Sequence, residues 1–314
     1  MKLIKILLMA LIIFMVFPAC IRGPRISKYK AASLNAEEHA LHPPKTAVVV
    51  PLFGEVSEKW VVDAEKALQN PKYDLVVLWI ESPGGSVTET KIITHKLKVF
   101  QKKYNKPIYI YSERILASGA YWVASSFDKI IISPAGHAGS IGVYMVRADF
   151  SGLYNMIGLK YHYIASDSTK VMGNSASPME NWEREIWQSS IYVAHAEFMV
   201  HVWNFRVTQI IKAYELRHIR NVVTRQDTIM VANQFRQIAN GSLYNAKYSI
   251  FAGLVDNVMY FDELIKQLQL NGYATVTADG KTITEFYPFK GKDDVKEKIK
   301  QKIWDRLQAE QNRR

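Results

Sequence analysis

Asp74-Leu75-Val76-Val77-Leu78-Trp79-Ile80 runs directly into Glu81-Ser82-Pro83-Gly84-Gly85-Ser86, and that turn leads into Val87–Phe100. The first stretch is a continuous apolar run, which reads as a strand buried on both faces. The second is a tight turn whose glycines let backbone amides come close to a ligand and point outward. The third has the apolar pattern of a helix. Strand, glycine turn and helix in this order form the repeating unit of a parallel sheet.

The same alternation extends to either side. Ala47-Val48-Val49-Val50 reads as a strand, and Trp60, Val61, Ala64 and Leu68 fall at helical spacing within residues 57–69. Pro107–Tyr111 reads as a third strand, and Lys129–Ser133 and Ile141–Val146 continue the series. Strands alternating with helices of this length predict an α/β fold with a mostly parallel sheet. Beyond Pro178 the pattern becomes one long helical stretch through Trp182, Ile186, Ile191, Ala194, Phe198, Val202 and Val207. A mixed segment over 240–270 contains Gly253-Leu254-Val255-Asp256. Near the end, Val295, Ile299, Ile303 and Leu307 lie four apart, a narrow amphipathic stripe over 292–310 suited to surface packing or to docking on a neighbour.

The N-terminus carries Lys2 and Lys5 before an uncharged apolar run from Ile6 to Phe17, the anatomy of a secretory signal. Phe17-Pro18-Ala19-Cys20 follows, and a small residue before cysteine resembles a bacterial lipobox, with Cys20 the acylated residue. An uncleaved anchor with an incidental cysteine fits equally well. Arg22, Arg25, Lys28 and Lys30 follow the apolar run, against the usual charge rule for a translocated body, so an outward-facing body rests on the signal anatomy alone. The expected organisation is a signal or anchor at 1–20, a linker at 21–45, a catalytic domain at 46–270, and a C-terminal extension at 271–314.

Composition narrows the function. The chain has 314 residues and a net charge of +11, but residues 1–45 hold +5 of it and 290–314 hold +4. The body between carries only +2, too little for a phosphate-binding surface, so no nucleic-acid partner is expected. Basic tails suit an anionic membrane surface or solubility. Cys20 is the single cysteine, which excludes an intrachain disulfide, a cysteine-rich zinc site and, by its position, a cysteine protease. No metal or cofactor is assigned.

Four short segments can carry chemistry. Ser82–Gly85 is a turn suited to an oxyanion hole or a phosphate. Ala117-Ser118-Gly119-Ala120 opens a predicted helix after a strand, with small neighbours that leave the hydroxyl accessible. A lone serine there is most often an N-cap, and the G-x-S-x-G elbow is absent because Leu116 replaces its first glycine. Gly139-Ser140-Ile141-Gly142-Val143 is a glycine-rich turn. Ser166-Asp167-Ser168-Thr169-Lys170 lies in a polar loop, where a lysine is ordinarily a solvated charge and becomes a base only when buried.

Together these segments resemble the signal peptide peptidase A family of membrane serine peptidases. The family pattern has an S-P-G-G turn, a serine in an A-S-G context, a G-S-I-G-V segment, and a lysine about fifty residues after the serine. Lys170 lies 52 positions after Ser118, and Gly253–Asp256 matches a further family segment. The resemblance covers roughly residues 46–260. Two departures stand out: Asp167 replaces a glycine beside the lysine segment's serine, and Asn240-Gly241-Ser242 replaces a D-G-R triplet.

The resemblance implies a Clp protease/crotonase-like ββα superhelix. It also implies a Ser/Lys dyad with Ser118 as nucleophile and Lys170 as general base. Gly85 and Gly119 are the candidate oxyanion amides, and Ser140 and Ser168 the candidates for holding the lysine. It further implies peptide substrates such as remnant signal peptides, an inner-membrane location, and a homo-oligomer whose protomers share an active site. Three rivals remain: a Ser–His–Asp triad using His137 and Asp167, a crotonase-type acyl-CoA enzyme, and a non-catalytic membrane-surface scaffold.

Overall fold

The computed structural model describes residues 45–218 and 221–283. The expected signal or anchor with Cys20, the linker as far as Pro44, and the amphipathic stripe at 292–310 lie outside the described residues.

The first half winds between two sheets. β1 (Lys45–Phe53) leads to α1 (Glu58–Gln69), and β2 (Leu75–Glu81) to α2 (Val87–Tyr104). β3 (Ile108–Ser112) and β4 (Ile115–Ala117) precede α3 (Gly119–Ser125), and β5 (Lys129–Ile132) is followed by β6 (His137–Gly139). After α4 (Ser151–Met156) and a 3-10 turn (Ser168–Val171) come α5 (Asn181–His218) and α6 (Arg225–Ile238). β7 (Leu243–Asn245), α7 (Ala246–Phe251), β8 (Asn257–Val258), α8 (Phe261–Leu270) and β9 (Tyr273–Thr277) complete the described chain.

The large sheet has the order β8-β5-β3-β2-β1-β9 and is parallel throughout. A small sheet, β4-β6-β7, pairs β4 with β6 in parallel and β6 with β7 antiparallel. β3 and β4, and then β5 and β6, each give one strand to each sheet, which is the expected ββα winding. β9 lies past residue 270 and pairs with β1, from Lys45 opposite Tyr273 to Val49 opposite Thr277.

Strand residues alternate between two cores. Val48, Val50, Leu52, Val76, Leu78 and Ile80 pack with Trp60, Leu68, Ile93 and Leu97 of α1 and α2. Ala47, Val49, Leu75, Val77 and Trp79 turn to the other face, against Phe261, Leu264, Ile265 and Leu268 of α8. Every residue of β2 is buried: the unbroken apolar run Leu75–Ile80 requires it, and Glu81 follows it at the strand's end. Burying each such side chain stabilises the fold by roughly 1.5–3 kcal/mol before entropy is counted.

The expected strand at Ile141–Val146 does not form: β6 ends at Gly139, and 140–150 has no regular structure. Its apolar residues suit a strand, but Gly139 (φ 112°) and Ser140 (φ 52°) turn the chain out of the sheet.

The long helix α5 is present as expected. Its 38 residues span about 57 Å. Before Phe198 only Glu183 is buried, whereas from Phe198 onward Phe198, Val202, Arg206, Ile210, Ala213 and Tyr214 bury one stripe. Arg206 is 1% exposed and donates to the Asp256 carboxylate at 2.8 Å and to the Gly253 carbonyl at 3.2 Å. Asp256 also accepts from the Ile130 amide of β5, so one carboxylate joins the helix to the sheet. Gly253 (φ 74°) lies so close to α5 that a Cβ there would stand 2.6 Å from the Ile210 Cα. The Gly253–Asp256 segment is therefore a fastening for α5.

Candidate active site

Ser118 sits between the last residue of β4 and the first of α3, with φ 52° and ψ −125°. That backbone is strained for a residue with a Cβ, by roughly 1–3 kcal/mol, and it persists because both sides are fixed. The Ser118 amide donates to the Gly139 carbonyl, and the Ser118 carbonyl accepts from the Trp122 amide, each at 2.9 Å. A strained strand-to-helix turn of this kind thrusts a hydroxyl forward, as in a nucleophile elbow, here without the usual glycine pattern. Ser118 is half-buried, and its hydroxyl makes no hydrogen bond to the described residues.

The glycine turn lies against this serine. Ser82 pairs across to Leu116: its amide donates to the Ile115 carbonyl at 2.9 Å, and its carbonyl accepts from the Ala117 amide at 3.0 Å. The Ser82 hydroxyl oxygen accepts from the Gly84 amide at 3.1 Å and shapes the turn. Gly84 has φ 112°, and a Cβ on it would lie 2.7 Å from the Ser118 Cβ and 2.9 Å from the Gly119 nitrogen. A Cβ on Gly119 would lie 3.3 Å from the Gly85 nitrogen and 2.4 Å from the Thr90 hydroxyl oxygen. The two amides nominated for an oxyanion hole are thus near neighbours beside the serine. Thr90, not singled out by sequence, is buried there with its hydroxyl unpartnered.

The third segment closes the other side. Ala117 pairs with Gly139, and the Ser140 amide donates to the Ser242 carbonyl at 2.7 Å. The Gly241 amide donates to the Ile141 carbonyl at 2.9 Å, and a Cβ on Gly142 would meet the Gly241 Cα at 2.8 Å. Asn240-Gly241-Ser242 therefore belongs to the wall of the site. His195 of α5 fastens the same wall, its Nε2 donating to the Ala239 and Ile141 carbonyls at 2.8 and 3.2 Å.

Behind the serine, His201 of α5 holds α3. Its Nε2 lies 2.9 Å from the Ser126 hydroxyl and 3.2 Å from the Trp122 carbonyl, and its ring stacks on Trp122 at 4.5 Å. Burial pushes the imidazole down to about 4; the nearby Lys98 ammonium adds to this and the bond to the Trp122 carbonyl opposes it. In the sequence both histidines are ordinary residues of the long helical stretch. Their partners are carbonyls 44 to 79 positions away, beyond any local pattern.

The fourth segment is not gathered with the other three. Lys170 is exposed in the 3-10 turn; its amide donates to the Asp167 carbonyl at 3.1 Å, and its side chain makes no hydrogen bond or ion pair to Ser118 or to any other described residue. Ser168 is exposed as well. Asp167 caps the turn by accepting from the Thr169 hydroxyl and amide at 2.6 and 2.9 Å, and these bonds hold its carboxyl below the usual range. His137 is exposed on β6. With Asp167 committed to Thr169, no Ser–His–Asp triad is assembled among the described residues. The stretch before the turn is unusually apolar for its exposure: Tyr144 is 85% exposed, Met156 83% and Ile164 fully. Among the described residues no group of His, Cys, Asp and Glu could hold a metal ion, and no helix is long and apolar enough to cross a membrane.

A parallel ββα core with a strained serine beside a glycine turn suits a serine-type peptidase. Residues 100–218 match the model of peptidase family S49, which spans Ser118 and Lys170. This match and the relatives below support the likeness to the signal peptide peptidase A family. The chain's relatives include a Methanocaldococcus jannaschii protein provisionally named a protease, 29% identical over 62% of this chain and 55% of the relative. An Enterococcus faecium protein provisionally named signal peptide peptidase SppA is 24% identical over 68% of this chain and 55% of the relative. Protease 4 of Haemophilus influenzae is 26% identical over 65% and 29%. The matches thus span about half the length of the first two relatives, and less of the third. Among solved structures, the 1510-N membrane-bound stomatin-specific protease in complex with a substrate peptide aligns with TM-score 0.44 and 13% identity, over 75% of this chain and 92% of that one.

Proposed function

We propose that this protein is a membrane-tethered serine endopeptidase with a Ser/Lys dyad, acting on remnant signal peptides or other short peptides near the membrane. Ser118 is the nucleophile, and Lys170 is the base, supplied by a neighbouring protomer. The observation that carries this reading is the strained Ser118 junction with the Gly84-Gly85 turn pressed against it.

The Ser118 Oγ bonds to the substrate carbonyl carbon as its proton passes to the lysine amine. The Gly85 and Gly119 amides stabilise the resulting oxyanion, each donor contributing about 3–4 kcal/mol. The C–N bond then breaks as the lysine returns the proton to the leaving amine. Water, deprotonated by the same lysine, hydrolyses the Ser118 ester. Lysine serves as a base only as the free amine, which burial favours. The exposure of Lys170, with apolar surface before it in sequence, supports burial against a second copy, where Ser140 and Ser168 are the candidate partners of the ammonium. The relatives' protease and signal-peptide-peptidase names support the substrate class.

Labelling with a fluorophosphonate probe tests the nucleophile. The intact protein is expected to label at one site, and Ser118→Ala is expected to abolish both labelling and peptide hydrolysis. Label retained in that variant removes Ser118 from the mechanism.

A further inference from the structure

We propose that Glu81 is a positioning residue that sets the register between the glycine turn and the nucleophile; the inference rests on the peptidase reading above. Glu81 ends β2 one residue before the turn, and its carboxylate is buried, only 7% of the residue being exposed. Three consecutive backbone amides donate to that carboxylate: Glu113 to Oε1, Arg114 to Oε2 at 3.0 Å, and Ile115 to Oε2 at 3.1 Å. The Trp79 indole donates to Oε1 at 2.9 Å from the same strand. Among the described residues its only charged partner is the largely exposed Arg114 side chain, 3.7 Å away, so the amides and not an ion pair hold the group.

These bonds continue the ladder that fixes the site. Next in order come Ser82 N to Ile115 O and Ala117 N to Ser82 O, and then Ser118 itself. Glu113 and Arg114 form the bend between β3 and β4, Ile115 opens β4, and the three amides converge on the Glu81 carboxylate. Without Glu81 these three amides would lose the one acceptor that gathers them, leaving the Ser82 bonds to tie β4 to the turn. The register matters because the contact it sets has no slack: a Cβ at Gly84 would already overlap the Ser118 Cβ. A shift of a few tenths of an ångström moves the hydroxyl relative to the Gly85 and Gly119 amides, and orientation errors of that order slow catalysis steeply. A buried carboxylate accepting from successive amides holds such a bend more firmly than a neutral acceptor does.

The test compares fluorophosphonate inactivation of the full-length wild type, Glu81→Gln and Glu81→Asp, with kinact separated from KI and the labelled fraction determined. Glu81→Gln puts an NH2 where an amide now donates, and kinact is expected to fall at least tenfold with KI within about twofold. Glu81→Asp keeps the charge on a shorter arm and is expected to fall between the two. It decides the matter if the glutamine variant lacks a cooperative melt. A lower labelled fraction at unchanged kinact would mean that Glu81 serves folding alone and would overturn the proposal, as would wild-type kinact in both variants. Failure of the wild type to label would instead overturn the peptidase reading.

Discussion

The segment bearing Ser118 and the segment bearing Lys170 lie 52 residues apart and are built on opposite plans. Around Ser118 each backbone bend is held by partners distant in sequence: Glu81 on the bend before it, Gly139 on its amide, and His201 on the helix after it. Around Lys170 the turn is held by local bonds, Asp167 to Thr169 and Lys170 to Asp167, and the apolar side chains from Tyr144 to Ile164 face outward. A nucleophile needs its geometry settled before substrate arrives. The proposed lysine base would need removal from water, and Lys170 is exposed in the protomer. The contrast is that of a site finished within the fold beside one awaiting a surface.

The most decisive way to break the comparison is to mix variants. Lys170→Ala alone is expected to lower peptide hydrolysis by about 10³-fold or more, near the loss at Ser118→Ala. If protomers share sites, co-assembled Ser118→Ala and Lys170→Ala chains should recover up to about a quarter of wild-type activity, since each site draws its two residues from different copies. No recovery on mixing, at full assembly, would place both residues of each site in one protomer.

A smaller effect is expected on the serine side alone. Gly84→Ala forces a methyl against Ser118 and Gly119 at a φ that alanine resists. Hydrolysis should fall by about 10²-fold through displaced oxyanion donors, with oligomer size unchanged by light scattering. A change in assembly would show that the two segments are less independent than their bonding suggests.

The smallest effect concerns His201. Its folded pKa, about 4, lies below the unfolded value of 6.5. Above pH 6.5 the ring is neutral in both states and stability does not depend on it. As pH falls from 6.5 towards 4 the unfolded chain takes up the proton first, so stability declines by about 1.4 kcal/mol per pH unit, or about 2 kcal/mol by pH 5. Urea unfolding monitored at several pH values should show this slope, and His201→Gln should remove it.

The same contrast explains what the sequence could convey. The strand, glycine turn and helix over 74–100 were legible because burial, turn and periodicity are local properties. So was the strand-to-helix setting of Ser118. The strand expected at Ile141–Val146 failed because its apolar residues resemble a strand while the deciding facts, the positive φ of Ser140 and the packing of Gly142 on Gly241, lie in the backbone and a hundred residues away. Glu81 reads in sequence as an ordinary charge at a strand end; only the fold brings amides 113–115 to it. The turn bearing Lys170 keeps its bonds to itself, so the sequence around it names no partner for the ammonium.

Gly253 has a consequence of another kind. The smallest possible addition there, one methyl, already overlaps the backbone of α5 at Ile210. Relief would require the helix to withdraw, taking with it the Arg206–Asp256 pair and the His201 hold on α3. In sequence space, position 253 therefore has no neighbouring step: a lineage can change that residue only by re-seating α5 at the same time.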